Sequence, residues 1–113
     1  MATWAEVVAI ALRYPGVEKA ISYGEPSLKL KKSLISRWRV SDNSIVLLDV
    51  DHFERDYLLE NQSDIYFLEP HYVPHQIVLA NLARIPKVMI EMYIERRWRN
   101  VAPKRVLSDW DAR

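Results

Sequence analysis

Tyr23-Gly24-Glu25-Pro26-Ser27-Leu28-Lys29-Leu30-Lys31-Lys32-Ser33-Leu34-Ile35-Ser36-Arg37-Trp38-Arg39-Val40 is the stretch that decides the fold. A Gly-x-Pro turn opens two short runs of alternating apolar and polar residues, joined by a basic loop. This is the pattern of a β-hairpin with one apolar and one cationic face. Its register depends on the loop. A two-residue turn at Lys32-Ser33 sets Leu28 and Leu30 on the face of Arg37. A three-residue loop, Lys31-Lys32-Ser33, instead pairs Leu30 with Leu34 and Leu28 with Ser36. Leu28, Leu30, Leu34, Trp38 and Val40 then share a face, opposite Lys29, Ile35, Arg37 and Arg39. The second register is the expected one, because a one-residue slip carries every side chain to the wrong side.

The flanking segments supply a sheet and helices around this hairpin. Upstream, Thr3 and Glu6 have capping-box spacing, and Trp4, Val7, Val8, Ala11 and Leu12 recur at helical intervals. Pro15-Gly16 stops that helix, and Lys19 to Tyr23 is a short strand entering the turn. Downstream, Ser41 to Ser44 is a turn by composition, and Ile45 to Val50 is an almost continuously apolar strand. Val46, Leu48 and Val50 are expected on the side of Arg37 and Arg39, a surface too apolar to be left in water. Asp51 is a plausible N-cap for a helix from His52 to Glu60 with Phe53, Tyr57 and Leu58 inward. Strands at Ile65 to Leu68 and Gln76 to Leu82 flank a loop carrying Pro70 and Pro74. Pro86 opens a helix from Lys87 to about Ala102, closed by Pro103, with Ile90, Tyr93, Ile94, Trp98 and Val101 on one stripe. Residues 106–113 are expected to form a loose tail. The resulting expectation is one α+β domain, an antiparallel β-sheet packed against three α-helices.

Composition narrows the function classes. Half of the 113 residues are hydrophobic and 27% are charged, which suits a folded core. Sixteen Lys and Arg against fifteen Asp and Glu leave a net charge of +1. A nucleic-acid role must therefore rest on where the cations lie rather than on their excess. The chain has no cysteine, so it has no disulfide or thiolate metal site. No apolar run reaches membrane-spanning length and Met1 to Glu6 lacks a signal-like pattern, so a cytoplasmic protein is expected.

Two cationic groups stand out. Lys29, Lys31, Lys32, Arg37 and Arg39 lie in the hairpin, where they can meet phosphates as a β-wing or form an ordinary solvated sheet face with edge lysines. Arg96, Arg97, Arg99, Lys104 and Arg105 gather near the end of the last helix. Dipole complementation and a Glu95–Arg99 pair explain two or three of these, and the rest can form a phosphate-facing patch. His71 and His75 are spaced like paired metal ligands, but a site needs three or four, and loop ordering explains them as well. Asp49, Asp51 and Glu54 are clustered carboxylates. Asp51 is accounted for as a cap and Glu54 as a first-turn acid. There is no nucleophile elbow and no glycine-rich phosphate loop, so no catalytic residue, metal or cofactor is expected.

Leu12-Arg13-Tyr14-Pro15-Gly16-Val17-Glu18, Tyr23 to Leu30, Pro70-His71-Tyr72, Ile77 to Leu82 and Trp98-Arg99-Asn100-Val101-Ala102-Pro103-Lys104-Arg105 together resemble the MmcQ/YjbR family in order and spacing. The chain departs from the family pattern at Leu28, where phenylalanine is usual, and at Lys31-Lys32-Ser33, where glycine is frequent. The resemblance implies a CyaY-like arrangement of helices over an antiparallel sheet and a non-enzymatic DNA-binding role through a double wing. One wing is the hairpin around Lys31-Lys32, and the other is the strand pair flanking His71 to His75. The expected contacts to double-stranded DNA are Lys29, Lys31, Lys32, Arg37, Arg39, Arg97, Arg99, Lys104 and Arg105, on a monomer or weak homodimer. The alternative is a protein-interaction or small-ligand module using Ile35, Val46 and Leu48, or the tyrosines Tyr23, Tyr66 and Tyr72.

Overall fold

Thr3 accepts from the Glu6 amide while Glu6 reaches back to the Thr3 amide, so the capping box starts helix α1 (Trp4–Ala11) as its spacing predicts. The computed structural model describes the whole chain, Met1–Arg113. After α1 come strands β1 (Val17–Ser22), β2 (Glu25–Leu30), β3 (Ser33–Arg39) and β4 (Ser44–Leu48). Helix α2 (His52–Asn61), strand β5 (Tyr66–Phe67), a 3-10 turn (Pro70–Tyr72) and strand β6 (Ile77–Asn81) follow, then helices α3 (Lys87–Val101) and α4 (Lys104–Asp111). The six strands form one sheet in the order β1-β2-β3-β4-β6-β5, and every neighbouring pair is antiparallel. The architecture is α+β.

β1 and β2 are joined by Tyr23-Gly24, both at positive φ, as a type I′ hairpin turn requires. The β2–β3 hairpin corrects the expected register at its tip. Leu28 pairs with Ser36 as expected, but Leu30 pairs with Ser33 and Lys29 with Leu34. Lys31-Lys32 is therefore a two-residue turn, with Lys31 left-handed at φ 55°. A β-bulge at Ile35 absorbs the odd residue. It exchanges the sides of two apolar residues: Ile35 enters the main core, and Leu34 moves beside Lys29 on the other face. Val40, expected on the apolar face, lies past the end of β3 and is exposed.

One sheet face and the helices enclose the main core. Leu28, Leu30, Ile35, Ile45, Leu47, Val78 and Ala80 from the sheet meet Val7, Ile10 and Ala11 from α1 and Ile90, Ile94 and Trp98 from α3. Burial of each Val, Leu or Ile among them is worth about 1.5–3 kcal/mol. Val50 joins this core rather than the opposite face, because Asp49 at φ 59° breaks the alternation after β4. The opposite face carries Val46 and Leu79, covered by Tyr72 with Phe67, Leu68 and Ile77 packed around them. The cover expected over this apolar strip is thus the segment at residues 69–76 rather than a helix or a partner.

Two further expectations change. The chain end is helix α4, not a loose tail, so four helices rather than three accompany the sheet. Trp110 packs at 5.1 Å from the Tyr14 ring and 5.2 Å from Trp98, with ring centroids as the measure. On α2, Phe53 and Tyr57 face solvent, and the buried positions are Leu58 and Arg55. Arg55 is only 4% exposed. Its guanidinium donates to the carbonyls of Val73 at 3.0 Å, His75 at 2.7 Å and Ile77 at 3.2 Å, tying the loop before β6 to the helix.

Candidate functional site

The nine cations expected to touch phosphate divide into two sets. Four of the arginines are committed to carboxylates. Arg37 is 8% exposed, sits 3.3 Å from Glu25 Oε1 and donates to the Tyr72 hydroxyl. Arg39 pairs with Asp42 at 3.2 Å and with Glu69. Arg97 donates to both oxygens of Asp49, at 3.1 and 3.2 Å, and to the Leu34 carbonyl at 2.8 Å. Arg99 donates to Glu95 at 2.9 Å, the i,i+4 pair read from the sequence, and to Asp111 at 2.9 Å. These guanidiniums hold the sheet's outer face, the end of β4 and the α3–α4 corner together.

The other five, Lys29, Lys31, Lys32, Lys104 and Arg105, enter no ion pair. Lys31, Lys32, Lys104 and Arg105 are exposed, and Lys29 is half-buried opposite Glu18. Two of them, far apart in sequence, are brought together by the fold. Lys31 and Arg105 line one cleft of about 340 Å³ together with Glu18, Pro15, Gly16, Leu30, Pro103 and Val106.

Packing explains the juxtaposition. Trp98 is fully buried and donates its indole N–H to the Pro15 carbonyl at 2.9 Å, which fixes the α1–β1 turn against α3. Gly16 stands at φ 84°, and a Cβ there would come within 3.2 Å of Leu30 Cδ1, so the turn lies directly against the end of β2. Helix α4 then leaves Pro103 and is held at its far end by Trp110 and by the Arg99–Asp111 pair. Arg105 is thereby set facing the hairpin tip.

Two cations, Lys31 and Arg105, and one acid, Glu18, line the cleft. Pro103 gives α4 no side-chain cap and no acid lies in its first turn. Its first amides and its dipole therefore add positive potential to that of Lys104 and Arg105. Hydrogen bonds from Arg99 hold the Asp111 carboxyl below its usual 3.8, and the same bonds, with those to Glu95, raise the Arg99 value. Burial, followed by its hydrogen bond to Glu95, pushes the Tyr14 phenol up to about 12, so it stays a neutral donor beside Trp110. Tyr93 is raised by burial and by Glu54, which also receives Arg96 at 2.8 Å.

The candidate acids and histidines are likewise occupied or apart. Asp51 caps α2 by accepting from the Glu54 amide at 2.8 Å, and Asp49 also accepts from the Asn100 side chain at 2.9 Å. The His71 and His75 rings are 6.3 Å apart, and no third ligating side chain joins them. Of the alternative interaction surface, Ile35, Val46, Tyr66 and Tyr72 are buried, Leu48 is half-buried, and Tyr23 is exposed. Sequence reasoning missed helix α4 as the element that places Arg105. The signals were present in Pro103, a capping-compatible start, and in Val106, Leu107 and Trp110 at helical spacing. The chain matches no protein-family model and no curated protein.

Proposed function

We propose that this chain is a non-enzymatic DNA-binding protein of the MmcQ/YjbR type that engages the phosphate backbone of a duplex through Lys29, Lys31, Lys32, Lys104 and Arg105. The observation that carries the reading is the cleft shared by Lys31 and Arg105, which joins the hairpin tip to the start of α4 with neither cation paired. Lys32 and Lys104, their neighbours in sequence, are exposed as well. The family resemblance of the motifs around it supports the reading. Backbone contacts of this kind position a protein on nucleic acid and read little sequence, so selectivity is weak. Arg37, Arg39, Arg97 and Arg99 support the site by holding its scaffold, since each would have to leave a carboxylate to meet a phosphate.

Titration of a fluorescent duplex at two salt concentrations tests this. Affinity falls as salt rises, and Lys31→Glu with Lys32→Glu lowers the slope of log K against log salt by about 1 per lost contact. Lys104→Glu with Arg105→Glu has the same effect. A protein that binds no duplex at low salt, or one whose slope ignores all four substitutions, removes the proposal.

A further inference from the structure

Helix α2 is built inside out. At about 100° per residue, Glu54, Arg55, Leu58 and Leu59 occupy one side and Phe53, Asp56, Tyr57 and Glu60 the other. The first group faces the protein: Arg55 and Leu58 are buried, and Glu54 and Leu59 are half-buried. The second group is the i, i+3, i+4, i+7 stripe that points straight out. Phe53 is 91% exposed and Tyr57 59% exposed, while the helix's one full cation is turned inward to loop carbonyls.

The exposed charges within residues 51–64 have a single sign, and Arg96, the cation that reaches this helix, is held by Glu54 on the other group of residues. Asp56 and Glu60 lie on it, Asp51 precedes it and Asp64 follows it, and none of the four makes an ion pair. No exposed Lys or Arg lies between Asp51 and Asp64. An electron-rich aromatic pair one helical turn apart, set between unpaired carboxylates, complements one chemistry. Lys or Arg side chains stack on the ring faces and reach the acids, and an apolar residue between them covers the ring edges.

We infer that the outward face of α2 is a docking surface for a basic polypeptide segment of a partner protein, with Phe53 and Tyr57 as its anchors and Asp56 and Glu60 as its charge pairs. The surface spans about two helical turns, so the contact is small and its exchange fast. It uses none of the residues proposed to meet DNA.

The test is NMR titration of the full chain with a 14-residue amphipathic peptide of Lys, Arg and Leu. The expected result is that amide shifts concentrate on residues 52–61 and saturate. Phe53→Ala with Tyr57→Ala weakens binding about tenfold, and Asp56→Lys with Glu60→Lys abolishes it. Both variants alter exposed side chains, and an unchanged core spectrum establishes that they fold. In the aromatic variant duplex affinity is unchanged, which separates this site from the proposed DNA contact. Shifts spread over Glu18, Asp109 and other surface acids, or equal affinity of the aromatic variant, overturn the inference, since charge alone then accounts for binding. Concentration-dependent broadening of α2 signals without peptide overturns it too, because the occupant is then a second copy of the chain.

Discussion

Trp98 shows how much one side chain decides here. Its ring is fully buried between the α1–β1 turn and α4, lies 5.1 Å from the Tyr14 ring, and its N–H satisfies the Pro15 carbonyl. Trp98→Ala is expected to cost about 3–5 kcal/mol, because the cavity adds to the lost transfer energy. The check is a denaturant melt, with a lowered midpoint and an unchanged slope. That Trp98 is a core residue is legible from its place on the Ile90, Tyr93, Ile94 stripe. The fate of each arginine is not. Arg37, Arg97 and Lys31 are all cations in basic runs, and only tertiary contacts with Glu25 and Asp49 separate scaffold from free charge. Phe53 and Tyr57, expected inward, fail for a related reason. Hydrophobicity predicts the inner side of α2 for both, but Arg55 takes that side, its two terminal nitrogens donating to carbonyls distant in sequence.

At the scale of elements, local signals read well and register does not. The capping box of α1, the Asp51 cap of α2 and the proline at the start of α3 depend on neighbours within one turn, so they are visible in the chain. A bulge depends on which partner residue a strand accepts, so the exchange of Leu34 and Ile35 left no mark in the alternation. Helix α4 is short, and its hold on the protein is partly ionic. The Asp111 carboxylate is favoured in the folded state, with a value below the usual 3.8 because Arg99 donates to it. The stability from this pair is fully present above 3.8 and is lost as the pH falls through the lowered value. On acidification, the Trp110 indole resonance is expected to move toward its solvent-exposed position below that range. Asp111→Asn should remove this acid-dependent step by weakening the docking already at neutral pH. A Trp110 signal that tracks only global unfolding in both proteins would rule out the local step.

For the molecule as a whole, the antiparallel α+β plan was legible because apolar periodicity changes plainly between helix and strand segments. The sheet order was not, since β6 inserts between β4 and β5 through pairings that no local pattern records. This order puts β4 and β6 at the centre of both apolar layers, with Leu47 and Val78 on the main core and Val46 and Leu79 beneath Tyr72. Their amides are therefore expected to exchange with deuterium only on global unfolding, whereas β1 and the ends of α4 exchange through local opening. Native-state exchange with increasing denaturant checks this, and protection in β1 equal to that in β6 would contradict it. The same plan gives the molecule two covers wired to different chemistry. Acid reaches α4 through Asp111, but the clamp that Arg55 places on residues 73–77 ends on backbone carbonyl oxygens. Backbone carbonyls take up no proton across the ordinary pH range, so that fastening holds no carboxylate for acid to release.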